Sequence, residues 1–210
     1  MSGERKEEHA VPTGVHIRDA RRQLFDAAER VLLRDGPTAL TSRAVATEAG
    51  VAKGVLHRHF ADFDAFLAEL VRDRIARIDD QAAALRRSAG TGTVAGNLTG
   101  ALTDLFDPVA TAIVSLVIFR DELRARLRHG RPGHGIPVLA EAAVMLASYL
   151  GEECAMGRIA ADADVDTLAL SLIGAGHLLF AGREGTPPET GAVDKVVTTV
   201  IADVLQRRLL

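Results

Sequence analysis

The chain has 210 residues, 48% of them hydrophobic and 25% charged, with a formal net charge of −3. That is room for one large domain or two small ones, and the balance of an ordinary globular protein; the bulk charge argues against strong nonspecific DNA binding. A single cysteine, Cys154, excludes an internal disulfide and a cysteine-built zinc site and fits a cytoplasmic protein, while an aromatic content of only 4% requires an aliphatic core.

Residues 1–16 are charged and lack the apolar stretch of a secretory leader, so they read as a mobile tail. A first helix is expected from Ile17 to Arg34, where Leu24, Ala27, Ala28, Val31 and Leu32 follow helical spacing; Gly36-Pro37 stops it. Thr41 is a good N-cap for a second helix over Ser42 to Ala49, Gly50 supplies a turn, and a third helix runs from Ala52 to His59. Val45, Ala46, Val51, Leu56 and Phe60 can close a small core against Leu24 and Val31. Asp62 then caps a long fourth helix that reaches Arg87, anchored by Phe66, Leu70, Ile75 and Ile78. Further helices are expected over 94–106, 108–128, 136–157, 165–182 and 190–208, separated by turns rich in Gly, Pro and Asp. The apolar run Leu168 to Ala181 contains His177 and falls short of the roughly 20 residues a bilayer span needs, so it reads as a buried helix and no membrane is expected. The fold class is all-α: about nine helices, divided into a tail (1–16), a three-helix module (17–62) and a larger bundle (63–210).

Thr41 to Phe60 carries the functional signal. Two short helices joined at Ala49-Gly50-Val51 make a helix-turn-helix, and the second is dense in Lys53, His57, Arg58 and His59, more polar groups than a core helix would carry. Residues 1–60 hold 10 Lys+Arg against 8 Asp+Glu, and the remainder 15 against 20, so the small basic surplus sits with this segment. Arg43 has the reach and donor fork for a phosphate or a guanine edge. Lys53 suits a phosphate clamp, and Gly54 lets a helix approach another backbone closely. His57 and Arg58 point outward. Thr41 and Ser42 open the second helix; Thr41 either caps it, donates to phosphate, or does both. His59 either meets phosphate or ends its helix. His57 and His59, two apart on a helix, face different ways and imply no metal. No nucleophile–base pair, P-loop or zinc-hydrolase motif occurs, so no catalysis and no cofactor are expected.

The pattern Ala46, Ala49, Gly50, Val51, Gly54, Leu56, His59 and Phe60, with the first-helix stop at Gly36 and the acidic start of the fourth helix, resembles the tetracycline-repressor (TetR) family over residues 18–70. Ala52, Val55, His57 and Phe63 stand where that family often has Ser, Thr, Tyr and a phosphate-touching Lys, which points to a different operator on the same fold. The resemblance implies a homodimeric transcription regulator, most often a repressor, on a palindromic double-stranded operator, with a small-molecule effector bound inside the bundle. Candidate pocket residues are Leu102, Phe106, Ile113, Leu116, Val117 and Phe119, then Met145, Tyr149, His177 and Phe180, with Tyr149 and His177 as polar handles. Arg120 could pair with an acidic effector, or with Asp121 or Glu122. The last two helices would dimerise through Gly174 and the apolar face of Val193, Val197, Val200, Ile201 and Val204; packing within one subunit is the alternative. A helical small-molecule-binding protein or enzyme with a degenerate DNA module, and a helical scaffold, are the competing readings.

Overall fold

The computed structural model describes residues 13–129, 135–181 and 186–207, and these are helical or connecting segments throughout. Ten helices follow in order: α1 (Thr13–Asp35), α2 (Ser42–Glu48), α3 (Gly54–His59), α4 (Phe63–Arg87), α5 (Val94–Leu105), α6 (Pro108–Phe119), α7 (Asp121–Arg128), α8 (Leu139–Ala155), α9 (Val165–Phe180) and α10 (Ala192–Arg207). The chain divides into two compact units between Phe66 and Leu67, within α4. α1 begins at Thr13 rather than Ile17, so residues 13–16 of the expected tail are helical; residues 1–12 lie outside the described residues, as does His134.

In the first unit Leu24, Ala27, Ala28 and Val31 of α1, Val45 of α2 and Leu56 of α3 are wholly buried. Four of the seven phenylalanines collect here: Phe60 meets Phe66 edge-on at 5.0 Å, Phe25 lies 5.6 Å from Phe66, and Phe63 stacks on Phe66 at 5.7 Å. Each such pair contributes about 0.5–1.5 kcal/mol beyond its buried area, so the scarce aromatics are spent on fixing the end of α3 to α1 and to the first turn of α4. α1 ends as its sequence predicts, at Gly36 with φ +78°. Arg30 and Arg34 of α1 both reach Glu48 at the end of α2, at 2.7 and 2.8 Å. Their hydrogen bonds hold the Glu48 carboxyl below the usual carboxylate range. Gln23 Nε2 donates to the Ala49 carbonyl at 2.8 Å, so α1 grips the end of α2 by side chain as well as by core.

In the second unit α8 packs along α9, and α10 packs on α5 and α9. The buried cation Arg74 of α4 donates to Asp107 Oδ2 at 2.6 Å and to the Leu105 carbonyl at 3.4 Å; Asp107 Oδ1 accepts the Ala110 N–H and so caps α6. One guanidinium thus joins α4 to the end of α5 and the start of α6. The single helix expected over 108–128 is two, broken at Arg120, whose backbone is extended. The break is satisfied locally: Arg124 reaches back to donate to the Val117 and Ile118 carbonyls at the end of α6, while Asp121 and Glu122 open α7 where its dipole favours acids. This brings the described helices to ten rather than about nine. α8 starts at Leu139, not 136, because Val138 takes a left-handed φ of +79°, and its N–H is held by Glu141 Oε2 at 2.7 Å.

No single described helix is long and apolar enough to cross a membrane; α5 and α6 meet that length and composition only as a pair bent by 64°.

Candidate nucleic-acid interface

The turn between α2 and α3 is built by backbone hydrogen bonds that only certain residues permit. The Val51 N–H donates to the Ala46 carbonyl at 3.0 Å and the Gly50 N–H to the Thr47 carbonyl at 3.1 Å. Together with Gly50 at φ +67° this is a Schellman stop, in which a side chain at Gly50 would be strained. At the other end of α2, Thr41 Oγ1 accepts the Ala44 N–H at 3.1 Å. The cap uses the oxygen of that exposed hydroxyl and leaves its proton free to be donated outward.

The turn brings Arg43 of α2 and Lys53, just before α3, to one hollow of about 330 Å³, floored by Ala46, Thr47 and Val51. Arg43, Lys53, His57 and Arg58 are exposed, Ser42 and His59 half-buried. Leu56 is the buried residue of α3, so the helix is pinned by one side chain and the Phe60 that follows it. Arg21 of α1 lies over the Phe60 ring, 4.6 Å from its centre. Gly54 is exposed, has no left-handed φ, and an added Cβ would meet nothing within 4 Å. Nothing in the subunit calls for a glycine there. Phe63, which stands where a phosphate-binding Lys is common in the resembling family, extends the aromatic cluster instead. Asp62 Oδ1 accepts the Ala65 N–H at 2.6 Å, the N-cap its position predicts.

A basic, solvent-facing α3 set by a Schellman turn against α2 is the geometry of a helix-turn-helix reading head. Residues 24–70 match the model of the bacterial regulatory proteins of the tetR family, a span that runs from the α1 core through α2 and α3 into α4. The first unit therefore carries a DNA-binding domain of the tetR family. Solved structures show the same fold over nearly the whole length. The fatty acid degradation regulator FadR from Bacillus halodurans aligns over 92% of this chain and 97% of its own, at 18% identity and TM-score 0.69. A TetR-family member from Streptomyces coelicolor A3 aligns over 87% and 98%, at 22% identity and TM-score 0.62. A gamma-butyrolactone receptor described as ArpA-like aligns over 91% and 98%, at 21% identity and TM-score 0.58. Among curated proteins no sequence matches. The matched family is one of bacterial regulatory proteins, and the match falls on the helix-turn-helix just described.

In the second unit the bundle residues singled out in the sequence fall into different places. Leu102, Phe106, Ile113, Leu116, Val117, Met145 and Tyr149 are core, at 3% exposure or less. The Tyr149 hydroxyl is already engaged by Asn97 Nδ2 at 3.0 Å and by Glu153, and burial together with that carboxylate pushes its pKa up. Phe119 is 69% exposed at the end of α6, and Arg120 sits in the α6–α7 break. His177 and Phe180 are half-buried against Phe106; burial lowers the His177 pKa, and its Nδ1 has no hydrogen-bond partner. A cavity of about 640 Å³ lies elsewhere, between α4, α7, α8 and α9, with Ile75, Leu127, Ala143, Val144 and Leu170 among its walls. None of the residues lining it is among the sequence candidates; a wall of aliphatic side chains with charged rims carries no aromatic signal. Of the expected dimer residues, Val193, Val197, Ile201 and Val204 are at most 9% exposed and Val200 is half-buried, because α10 spends this face on α5 and α9. Gly174 alone of that set is exposed, on an outward stripe of α9 with Ser171 and Leu178. Among the described residues no cluster of three or more His, Cys, Asp or Glu is placed to hold a metal.

Proposed function

We propose that the protein is a homodimeric repressor that reads a palindromic operator with α3 and is released by a small, largely apolar effector. The observation that carries the DNA reading is the pairing of Arg43 with Lys53 at the α2–α3 turn beside an exposed His57, Arg58 and Gly54. In this reading Arg43 and Lys53 hold phosphates, with support from Thr41, Ser42 and His59, and His57 and Arg58 face base edges in the major groove. Gly54 admits the DNA backbone. Two such heads related by a two-fold axis address half-sites about 34–36 Å apart.

The second copy docks on the outward stripe of α9, where Ser171, Gly174 and Leu178 recur at helical spacing and Leu178 is 79% exposed. The effector occupies the α4–α7–α8–α9 cavity, whose volume falls within the roughly 300–1,000 Å³ usual for small-molecule sites. It regulates by binding the DNA-competent and DNA-incompetent states unequally. The experiment is a mobility shift with palindromic duplexes from the region upstream of the protein's own coding sequence. The wild type shifts one of them, and Lys53→Ala/Arg58→Ala does not while remaining a dimer. Sequence-specific binding retained by the double variant overturns the assignment of α3.

A further inference from the structure

We infer that the cavity between α4, α7, α8 and α9 selects an amphiphilic cation, an organic ammonium with an apolar body, over neutral or anionic molecules of the same size. The regulatory consequence rests on the effector reading above; the selectivity rests on the cavity's own walls. Those walls are of two kinds. Ile75, Leu127, Val144 and Leu170 are large aliphatics, and alanines of α8 between them leave the space. Val144 and Leu170 are 70% and 64% exposed, an amount of open aliphatic surface that an alkyl or ring body would cover.

The charged lining comes from separate helices that converge on this space. Asp79 projects from α4, Glu141 from α8 and Asp166 from α9, against Arg128 as the one cation among the described lining residues. Glu141 is oriented by the Val138 N–H it accepts, while Asp79 and Asp166 have no ion-pair partner among the described residues. An ammonium placed among these groups gains attraction from the carboxylates at the rim while its body covers the aliphatic wall. A neutral ligand gains apolar burial alone. A fatty carboxylate brings its charge against a surplus of like charges. The apolar wall therefore sets how strongly an amphiphile binds, and the Asp79 and Asp166 carboxylates set the sign of its head.

The test uses three probes that share one chain: octyltrimethylammonium, 1-octanol and octanoate, titrated calorimetrically into the full-length protein without DNA. The ammonium is expected to bind at least about tenfold more tightly than either other probe, a ratio within reach of attraction to Asp79 and Asp166 at close range. Asp79→Asn/Asp166→Asn is expected to lose that preference. Ala143→Phe, which fills the space with no change of charge, weakens all three probes together and keeps the test open if the double variant fails to fold. Octanoate binding as tightly as the ammonium, the preference surviving in the folded double variant, or none of the probes binding would each overturn the inference. Selective ammonium binding that leaves operator DNA bound would support the cavity's selectivity and overturn the effector reading alone.

Discussion

A Cβ placed on Gly176 would sit 2.6 Å from Cε2 of Phe106. Phe106 is 2% exposed and stacks on Phe180, so its ring cannot swing away. The small residue on α9 serves contact within the subunit, where the end of α5 presses against the helix. Gly176→Ala is therefore expected to destabilise the protein by about 1–3 kcal/mol through overpacking. Gly174→Ala, two residues away and meeting nothing within 4 Å in the subunit, should leave the stability of the lone subunit unchanged or raise it. Denaturant melts of the two variants decide; equal stability would mean that Phe106 has room to move.

Gly54→Ala separates folding from DNA binding. The position needs neither a left-handed backbone nor space in the free subunit, so alanine should be neutral or stabilising by up to about 1 kcal/mol. Operator affinity should nevertheless fall at least tenfold, because the added methyl meets the DNA backbone. Unchanged affinity in a titrated mobility shift would show that the start of α3 stands clear of the duplex.

Leu178→Asp and Val197→Asp should fail in different ways. Leu178 is 79% exposed, so a carboxylate there costs the lone subunit little and should turn a dimer into a monomer in sedimentation. Val197 is fully buried between α10 and its neighbours. An unpaired carboxylate in that place costs several kcal/mol, and the variant should lose its cooperative melt. A Leu178→Asp dimer would place the interface elsewhere.

His177 gives the stability a pH dependence of definite sign. Burial depresses its folded pKa below the ordinary 6.5, so its contribution is fully present above that value and is lost as pH falls from about 6.5 through the folded pKa. The melting temperature should drop over that window, and less steeply in His177→Gln. Parallel pH profiles for the two proteins would assign the slope to other groups.

The parts of this fold that were legible in the sequence are those written in local chemistry. Gly36, Thr41, Gly50 and Asp62 mark helix ends because each supplies a φ or a side-chain acceptor its own turn requires, and each is found doing so. The α6–α7 break was not legible, since Arg120 is held open by Arg124 reaching back to the Val117 and Ile118 carbonyls, a contact that apolar periodicity does not encode. The α10 stripe was legible as apolar but not as to its partner: Val193, Val197 and Ile201 read the same whether α5 and α9 or a second chain covers them. The cavity escaped because four helices make it, and no one segment of sequence looks like a pocket.

α3 has six residues, and its buried one is Leu56. The angle at which it stands is set outside it, by Gly50, by the cap on α2 and by the ring cluster around Phe60. The helix is thus a label held in a frame. In the reading proposed above, mutations at the exposed His57 or Arg58 rewrite the address with little risk to folding, and a duplicated copy of this gene could acquire a new target in a few substitutions while keeping its frame intact.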